Sequence, residues 1–455
     1  MKIAVLLKFF RGELNPFDGA ALECALEYGG EITVVSMAPP SAEAHLKDIA
    51  RLGVRTILIS DPAYAGSDTQ ATSYILAEAI KRLHPDVVFT GRQSMDGDTA
   101  QVPPMLAQRL GMNIVTGVMD FDGDKIRTRS GSEAMLTEQT IFTFERIRTL
   151  RFPSVFALRG AVEIWSQADL LLDGKRCGIQ GSPTRVLRSY ESAVGRRNCK
   201  FYDVVDFEAI IEDALTKKAS TTVQGLSPQT ERIYYVGNIG DVARRYAKTA
   251  IRLEAHKKSA EAFADALRAS DAKIVLFEAC EEYRLLAAQS AVILGAGLCA
   301  DCISFREENG AFVMTRPAIG GNVTADIVST SDMAFATVRQ NESREEEIVF
   351  SVGRGAIPYL DKIQALADRY GARVTCTRAV ADLGALPYRC QVGVTGKTVS
   401  PKLYVAFGIS GAVQHTSAIT GAQTVLAVNS DQDARMFDYS DCGIVCDIKN
   451  LFEEK

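Results

Sequence analysis

The sequence lacks several features that would place it in a specialised class of protein. Its 455 residues carry 51 basic and 56 acidic side chains, a formal net charge of −5, so no positive excess favours nucleic acid or an anionic membrane surface. It has no run of about 18 uncharged apolar residues, so we expect no membrane insertion. The start, MKIAVLLKFFRGE, is interrupted by Lys8 and followed by no cleavage pattern, so we expect no signal peptide.

The spacing of the cysteines and the lack of common catalytic motifs exclude further classes of protein. Ten cysteines are scattered along the chain and suggest no disulfide framework, so we expect a cytoplasmic location. Cys299 with Cys302, and Cys442 with Cys446, have no second pair or histidine at zinc spacing, and we interpret them as core residues rather than metal ligands. HExxH, GxSxG and Walker patterns are missing, and no GxGxxG follows a strand, which argues against nicotinamide dehydrogenase chemistry.

Alternating strands and helices predict an α/β fold with parallel sheets. The length is about three times that of a common domain, so we expect several cores. Apolar strands such as KIAVLLK and DVVFTG alternate with helical stretches, including one opened by Asp18 and one from Thr69 to Leu83. From Ile114 to about Leu158, alternating apolar residues and turn residues predict an antiparallel extension. A later stretch, Asp241 to Ser270, is predicted to be mainly helical.

The first two α/β parts repeat each other. The segments that start at Pro85 and Asp271 both give a strand, a polar loop, a helix that ends in Leu-Gly, and another strand. The first loop has small polar residues, whereas the second has Glu281 and Glu282, which would repel phosphate. We therefore expect only the first copy to hold a nucleotide. The predicted parts are an α/β domain at 1–177, a linker with a docking helix at 178–228, a second α/β domain at 229–345 and a C-terminal doubly wound domain at 346–455.

The loop from Gly91 to Pro104 is the first candidate site, because it follows a strand and opens a helix. Ligands of open parallel sheets lie at the carboxyl ends of strands, and free amides at a helix start attract phosphate. We expect Asp96 and Asp98 to cap the helix or bind ribose. The residues alone leave a nucleotide site and a plain helix cap both open. The expected amide or side-chain donors are Gly97, Thr99, Ala100 and Gln101.

The last hundred residues contain a second group of candidates. Strand-end polar residues in successive βα units converge on one edge of a sheet, so a cofactor with phosphate, ribose and a polar ring would fit. His415 is flanked by glycine-rich sequence, and local reasoning leaves a ligand and an ordinary helical residue equally open. The candidates are Gly353, Arg354, Gly355, Gly393, Thr395, Gly396, Gly408, Ser410, Gly411, Gln414, His415, Asn429 and Asp447.

At these residues the chain resembles the electron transfer flavoproteins, with the two subunits joined in one polypeptide. The small-subunit-like half, up to about residue 218, carries NPFDGAALECAL, GSDTQATSYILAEAI, GRQSMDGDTAQV and LRFPS. The large-subunit-like half carries the VGRG turn, TRAVADLG, QVGVTGKTVSPKLYVAFGISGAVQH, VLAVNSD and DCGIVCD. The similarity covers nearly the whole chain.

The resemblance implies a cofactor for each half. In the family an FAD lies in the C-terminal domain, where Thr395 would approach the flavin N5, His415 the pyrimidine carbonyl and Arg354 the ring. Such charge and donors stabilise a reduced, anionic flavin. The first half holds AMP or, in electron-bifurcating members, a second FAD, which we slightly favour here. The matching FAD residues are Arg354, Gln391, Gly393, Thr395, Gly408, Ser410, Gly411, Gln414, His415, Asn429 and Asp447, and the first pocket is matched by Asn15, Met37, Asp96, Gly97, Thr99 and Gln101.

The implied function is electron transfer rather than stand-alone catalysis, because no motif places a base beside the flavin. The expected partners are a flavin dehydrogenase, such as an acyl-CoA dehydrogenase, or an iron–sulfur/quinone oxidoreductase, and bifurcation from NADH is left open. The alternative is a nucleotide-binding regulatory protein without a redox role. Three features depart from the family: Val394 replaces a glutamine, the loop KFFRGELNP is short, and the large-subunit-like α/β domain is truncated by two βα units.

Overall fold

The structure, a computed structural model, divides the chain into two compact units. The larger unit consists of Met1–Ser189, Leu226–Ile319 and Ala325–Val338, and the smaller unit of Tyr190–Gly225, Gly320–Thr324 and Arg339–Lys455. The described residues are 1–158, 160–191, 196–216, 230–255, 258–319, 323–339, 347–393 and 396–453.

The first part of the larger unit alternates strands and helices, as the sequence predicts. Its strands are β1 (Lys2–Leu6), β2 (Phe9–Phe10), β3 (Glu13–Leu14), β4 (Glu31–Met37), β5 (Arg55–Ile59), β6 (Val87–Gly91), β7 (Asn113–Asp122), β8 (Lys125–Thr128), β9 (Glu133–Met135), β10 (Thr140–Phe144), β11 (Val162–Trp165) and β12 (Thr184–Glu191). Its helices are α1 (Pro16–Tyr28), α2 (Glu43–Ala50), α3 (Thr69–Leu83), α4 (Val102–Leu110) and α5 (Gln167–Leu170).

Nine of these strands form one sheet, in the order β11-β5-β4-β1-β6-β10-β7-β8-β9. The strands from β11 to β7 are parallel, and β7, β8 and β9 form the predicted antiparallel extension. β10 differs from the prediction, since it lies parallel between β6 and β7. Helix α3 starts at Thr69 as predicted, because the Asp68 carboxylate accepts hydrogen bonds from two backbone amides of the first turn. Helix α1 starts at Pro16, two residues before the predicted start at Asp18.

The middle of the chain contributes to both units. Strand β13 (Lys200–Phe201) and helix α6 (Phe207–Thr216) belong to the smaller unit. The strands that follow are β14 (Thr230–Val236), β15 (Ala247–Arg252), β16 (Ile274–Glu278), β17 (Gly297–Cys302), β18 (Ser304–Glu308), β19 (Ala311–Ala318), β20 (Val323–Ser329) and β21 (Ala334–Val338). The helices among them are α7 (Gly240–Tyr246), α8 (Ala260–Arg268) and α9 (Glu281–Leu294).

These strands form a smaller copy of the first sheet and a side sheet. The copy has five parallel strands, in the order β15-β14-β16-β21-β17, and the side sheet has the order β12-β20-β19-β18. The helix predicted from Asp241 to Ser270 is wrong, because β15 separates α7 from α8. In β15, Ala250 pairs with Ile233 of β14, so pairing at a sheet edge overrides the local helical pattern.

The two sheets of the larger unit share one local arrangement, as the predicted repeat requires. β10 lies between β6 and β7, and β21 lies between β16 and β17. In the first copy the Gly117 amide donates to the Thr143 hydroxyl at 2.9 Å, and in the second the Asp301 amide donates to the Thr337 hydroxyl at 2.9 Å. Gly117 and Asp301 both have a left-handed backbone, with φ of 65° and 58°. The repeat therefore extends to individual hydrogen bonds.

The smaller unit has a fully parallel sheet with a core on each face. The sheet order is β13-β26-β25-β24-β22-β23. Along β22, Phe350 belongs to one buried cluster and Val349 to the other, which is the alternation of a doubly wound sheet. Helix α6 lies in the segment predicted as a linker with a docking helix, and it buries Phe207 and Ile211 in the first cluster. The elements are β22 (Ile348–Val352), α10 (Leu360–Tyr370), β23 (Arg373–Cys376), α11 (Arg378–Asp382), β24 (Leu403–Phe407), α12 (Val413–Thr416), β25 (Thr424–Asn429) and β26 (Cys442–Val445).

The described helices are short. The longest are α3, with 15 residues, and α9, with 14 residues. Within the described ranges, none combines the length and the apolar content that a membrane span requires.

Candidate functional sites

The larger unit contains a cavity of about 1020 Å³ at the carboxyl ends of β1, β4, β5 and β6. This is the edge at which open parallel sheets bind ligands. The volume is at the upper end of the range of roughly 300–1000 Å³ for small-molecule pockets. We call it the nucleotide cavity. All the residues predicted for the first pocket line it: Asn15, Met37, Asp96, Gly97, Thr99 and Gln101.

Two buried amides in the wall of the nucleotide cavity are only half satisfied. Asn15 Nδ2 donates to the Gln93 carbonyl oxygen at 2.9 Å, while Asn15 Oδ1 has no partner in the described part of the chain. Gln101 Oε1 accepts from Thr69 Oγ1 at 3.0 Å, while Gln101 Nε2 has no such partner. Leaving a buried donor or acceptor unpaired costs free energy. An adenine nucleotide offers donors for the first atom and phosphate or ring acceptors for the second, so these residues fit one.

The loop before α4 has a different polar network from the predicted helix cap. Asp96 pairs with Lys8 Nζ at 2.7 Å, and Asp98 Oδ1 accepts from Gln93 Nε2 at 2.8 Å. No side chain caps α4, so neither aspartate has the predicted capping role. Asp98 and Ala100 both adopt left-handed backbone conformations, with φ of 50° and 53°, which are costly for residues other than glycine. The loop is thus held in a strained shape beside the cavity.

Asp18 is a cavity residue that sequence reasoning did not assign to a site. Its Oδ1 accepts from the Gly91 amide at 2.9 Å and its Oδ2 from the Lys8 amide at 2.8 Å, so it joins the carboxyl ends of β6 and β1. Burial raises the pKa of the Asp18 carboxyl to about 7, despite both hydrogen bonds. Gly91 is required here, because a Cβ would lie 2.2 Å from Asp18 Oδ1. The available signal was an aspartate in the first turn of α1, next to Asn15.

The C-terminal candidates gather at one edge of the smaller unit's sheet. Arg354 follows β22, Ser410 follows β24, Asn429 ends β25 and Asp447 follows β26. Since β22, β24, β25 and β26 are adjacent and parallel, these residues lie at neighbouring strand ends, as predicted. We call this the carboxyl edge.

The candidates at the carboxyl edge differ in whether their side chains already form hydrogen bonds within the protein. The side chains of Arg354, Ser410 and Gln414 are exposed, and none has a hydrogen bond or ion pair to a residue that the structure describes. Asp447 accepts from the Lys449 amide at 2.9 Å, and Asn429 Nδ2 donates to the Ile409 carbonyl oxygen at 2.9 Å. Gln391 is buried. Thr395 and Val394 lie outside the described residues.

Glycines allow the turns of the carboxyl edge to approach each other closely. A Cβ on Gly353 would lie 2.1 Å from the Gly408 carbonyl oxygen, and one on Gly411 would lie 2.2 Å from the Met436 nitrogen. Gly411 also has a φ of 85°, and Gly393 one of 147°. With exposed guanidinium, hydroxyl and amide donors beside these turns, the residues fit a cofactor that carries phosphate and polar groups.

His415 has a different environment from the one that the resemblance predicts. Its Nδ1 lies 3.2 Å from the Val392 carbonyl oxygen, and its Nε2 lies 2.8 Å from the Tyr404 hydroxyl. A carbonyl can only accept, so Nδ1 carries the hydrogen and Nε2 accepts from Tyr404. Burial lowers the pKa of His415 to about 4, so the ring is neutral at pH 7. In this arrangement neither ring nitrogen is available to the flavin carbonyl.

Two family models match the chain across these sites. The electron transfer flavoprotein domain matches residues 5–162 and 243–360, and the electron transfer flavoprotein FAD-binding domain matches residues 343–420. The chain belongs to the electron transfer flavoprotein family. The second match begins just before β22 and includes Arg354, Ser410 and His415, so this part of the carboxyl edge lies in the matched FAD-binding domain, whereas Asn429 and Asp447 follow the matched residues.

Curated relatives of the family align with the N-terminal part of the chain. The electron transfer flavoprotein subunit beta of Clostridium acetobutylicum is 38% identical over an alignment of 193 residues that covers 39% of this chain and 74% of that protein. Protein FixA of Azorhizobium caulinodans is 40% identical over an alignment of 203 residues that covers 39% of this chain and 72% of that protein. With the FAD-binding domain at the other end, these matches confirm the predicted fusion of the two subunits. They support electron transfer with FAD and do not favour the regulatory alternative.

Proposed function

We propose that this chain is a single-chain electron carrier with a nucleotide in each unit. The observation that carries the proposal is the carboxyl edge, where Arg354 and Ser410 lie exposed inside the matched FAD-binding domain and have no side-chain partner among the residues that the structure describes. When bound there, FAD supplies the reversible uptake of electrons, and the protein supplies binding, orientation and electrostatics.

The proposed FAD contacts follow from the chemistry of the edge. Arg354 provides a permanent positive charge for the phosphates or the reduced ring, and Ser410 and Gln414 provide neutral donors and acceptors. His415 is a neutral, buried support for the Val392 backbone, rather than a cation beside the ring. The charge near the flavin therefore comes from Arg354.

The second nucleotide belongs in the nucleotide cavity. Asn15 Oδ1 and Gln101 Nε2 offer it an unused acceptor and an unused donor. The volume of about 1020 Å³ favours a dinucleotide, and hence a second FAD over AMP. Its phosphates would be expected away from Asp18, because the ionised form of this carboxyl, whose pKa burial raises to about 7, would repel them.

The proposed electron partner is a flavin dehydrogenase, with an iron–sulfur/quinone oxidoreductase as the other candidate. The larger unit exposes four large apolar side chains in one segment, with 83% to 94% of each accessible: Phe152, Val155, Phe156 and Leu158. Exposed apolar clusters on soluble domains mark interaction sites. We call this the apolar segment and propose that the partner dehydrogenase contacts it.

Cofactor analysis tests the carrier proposal. The purified protein should show a flavin absorption band, and denaturation should release two FAD per chain. Release of one FAD and one AMP per chain would still support the electron carrier, but the second cofactor would be AMP instead of FAD. A colourless protein that retains only AMP would favour the regulatory alternative, and one FAD without any other nucleotide would remove the second site.

Electron exchange with a partner tests the function itself. Candidate dehydrogenases, mixed with their own substrates and this protein, should bleach its flavin band rapidly. The isolated chain should turn over no small organic substrate. Fast turnover of such a substrate without a partner would show that the protein is a stand-alone enzyme.

A further inference from the structure

A second cavity of the larger unit, of about 350 Å³, carries three positively charged side chains: Arg109, Lys175 and Arg176. It lies between α3, the end of α4 and the segment 175–183, and the second α/β copy closes it with Val292, Gly295, Thr330 and Ser331. No carboxylate lines it among the residues that the structure describes, and it shares no lining residue with the nucleotide cavity. We call it the cationic cavity.

Arg109 is fixed in the wall of the cationic cavity and forms no ion pair with a residue that the structure describes. Its Nε donates to Ser73 Oγ at 3.0 Å and its Nη2 to Gln70 Oε1 at 2.6 Å. No described residue accepts a hydrogen bond from Nη1. Burial and the nearby charge of Arg176 lower the pKa of Arg109 to about 10. The guanidinium is therefore oriented by neutral groups, and the carboxylates of Asp68 and Glu78 act on it without forming an ion pair in the described part of the chain.

Arg176 adds a second guanidinium beside the first. It stacks over the ring of Tyr74 at 3.8 Å, and Arg109 lies 5.8 Å from the same ring centre. Neither Arg176 nor the neighbouring Lys175 forms an ion pair within the described ranges, and both side chains are exposed. Like charges held this close repel each other, and a bound anion would remove the repulsion.

The neutral hydroxyls of the cavity are already used, which narrows the class of ligand. Ser182 Oγ donates to the Gly178 carbonyl oxygen at 2.7 Å, and Ser331 Oγ donates to the Met333 carbonyl oxygen at 2.7 Å. The groups of the cavity that are left for a ligand are therefore its positively charged side chains. A small anion fits this better than a neutral sugar or an amide.

We propose that the cationic cavity binds a phosphate group, either as free phosphate or as part of a small phosphate monoester. The free Nη1 of Arg109, the guanidinium of Arg176 and the ammonium of Lys175 match the several oxygens of a phosphate, whose charge-assisted hydrogen bonds are stronger than neutral ones. Because the two α/β copies both line the cavity, the ligand would connect them and stabilise the larger unit.

Phosphate titration of the protein with its bound nucleotides tests this proposal. Binding of inorganic phosphate and of glycerol phosphate is measured by calorimetry at constant ionic strength. The variant Lys175→Gln/Arg176→Gln removes two exposed charges from the cavity, and Arg244→Gln/Arg245→Gln removes two exposed charges from α7 as the matched control. We expect saturable binding by the wild type and the control, and at least tenfold weaker binding by the cavity variant.

The outcomes separate the proposal from general ion binding and from the nucleotide sites. Tighter binding of one ligand identifies the source of the phosphate, and either preference supports the site. Absence of saturable binding by the wild type would overturn the proposal. So would equal weakening in both variants, or unchanged binding by the cavity variant. Loss of FAD in an otherwise folded wild type would contradict the proposed carrier and leave this measurement unaffected.

Discussion

The Tyr404 hydroxyl donates a hydrogen bond to His415 Nε2, with an oxygen–nitrogen distance of 2.8 Å. Both side chains are buried, and His415 Nδ1 faces the Val392 carbonyl oxygen. The pair links β24 to the short helix α12 and to the backbone that precedes residues 394 and 395. In its neutral form His415 therefore connects these elements through hydrogen bonds within the protein.

The stability of the protein should depend on the neutral state of His415. Its pKa of about 4 is below the ordinary 6.5, so the unfolded chain takes up this proton first as the pH falls. The stability that it contributes is complete above pH 6.5 and is lost towards pH 4, by up to about 1.4 kcal/mol per pH unit. Urea unfolding of His415→Gln, followed by circular dichroism, should show a shallower acid loss than the wild type. His45→Gln is the control, and equal slopes in all three proteins would contradict this.

Asp18 should have the opposite effect on pH dependence. Its pKa of about 7 is above the ordinary 3.8, so the folded protein holds this proton longer than the unfolded chain. Its contribution to stability therefore falls as the pH rises from about 4 to 7, by up to about 1.4 kcal/mol per pH unit. Asp18→Asn should remove this fall in urea unfolding, whereas the exposed control Asp122→Asn should keep it. A wild-type slope in Asp18→Asn would show that the carboxyl titrates normally.

Arg354 and Ser410 should be necessary for FAD binding. Both are exposed at the carboxyl edge without described partners, so their removal should cost little stability. The double variant Arg354→Ala/Ser410→Ala should purify with at least tenfold less FAD, measured by its visible absorption. Arg369→Ala, which removes an exposed arginine paired with Glu208, should retain the cofactor. Full FAD content in the double variant would place the site elsewhere.

Asn15 and Gln101 should control the second nucleotide alone. Asn15→Ala/Gln101→Ala removes the unpaired acceptor and donor in the wall of the nucleotide cavity. Nucleotide release and chromatography should show a large loss of the second nucleotide and an unchanged FAD in the smaller unit. Gln108→Ala, on the same helix as the cavity wall but outside the nucleotide cavity, is the control. Equal loss of both nucleotides would indicate a general folding defect.

The apolar segment should affect partner electron transfer without affecting the cofactors. Phe152→Ser/Phe156→Ser removes two side chains that are more than 85% exposed, so the fold should be retained. We expect normal FAD content and at least tenfold slower flavin bleaching by the partner dehydrogenase. The lower rate should be visible when the rate of flavin bleaching is measured as a function of the partner's concentration. An unchanged rate would show that the partner binds elsewhere.

The sequence predicted elements where local chemistry and periodicity agree. Helix α3 begins at Thr69 because Asp68 caps it, and its apolar face is periodic. The sequence did not predict β15. A strand at a sheet edge depends on pairing with a neighbouring strand, here β14, and the local pattern of residues does not show this pairing. The segment 178–228 was predicted to contain a docking helix, and α6 lies there, but only the tertiary structure decided that its apolar face joins the core cluster that contains Phe350 and Phe407.

The candidate sites also divide into features that the sequence predicts and features that depend on tertiary structure. The sequence by itself determined the parallel α/β order, and hence that Arg354, Ser410 and Asp447 would meet at one edge, because parallel strands end on the same side of a sheet. Only the tertiary structure decided the state of the buried groups. Asp18 has a raised pKa and His415 a lowered pKa because both side chains lose water on folding, and their partners come from other elements. The cationic cavity likewise exists only where the two copies meet, since its arginines and its far wall are more than a hundred residues apart in the chain.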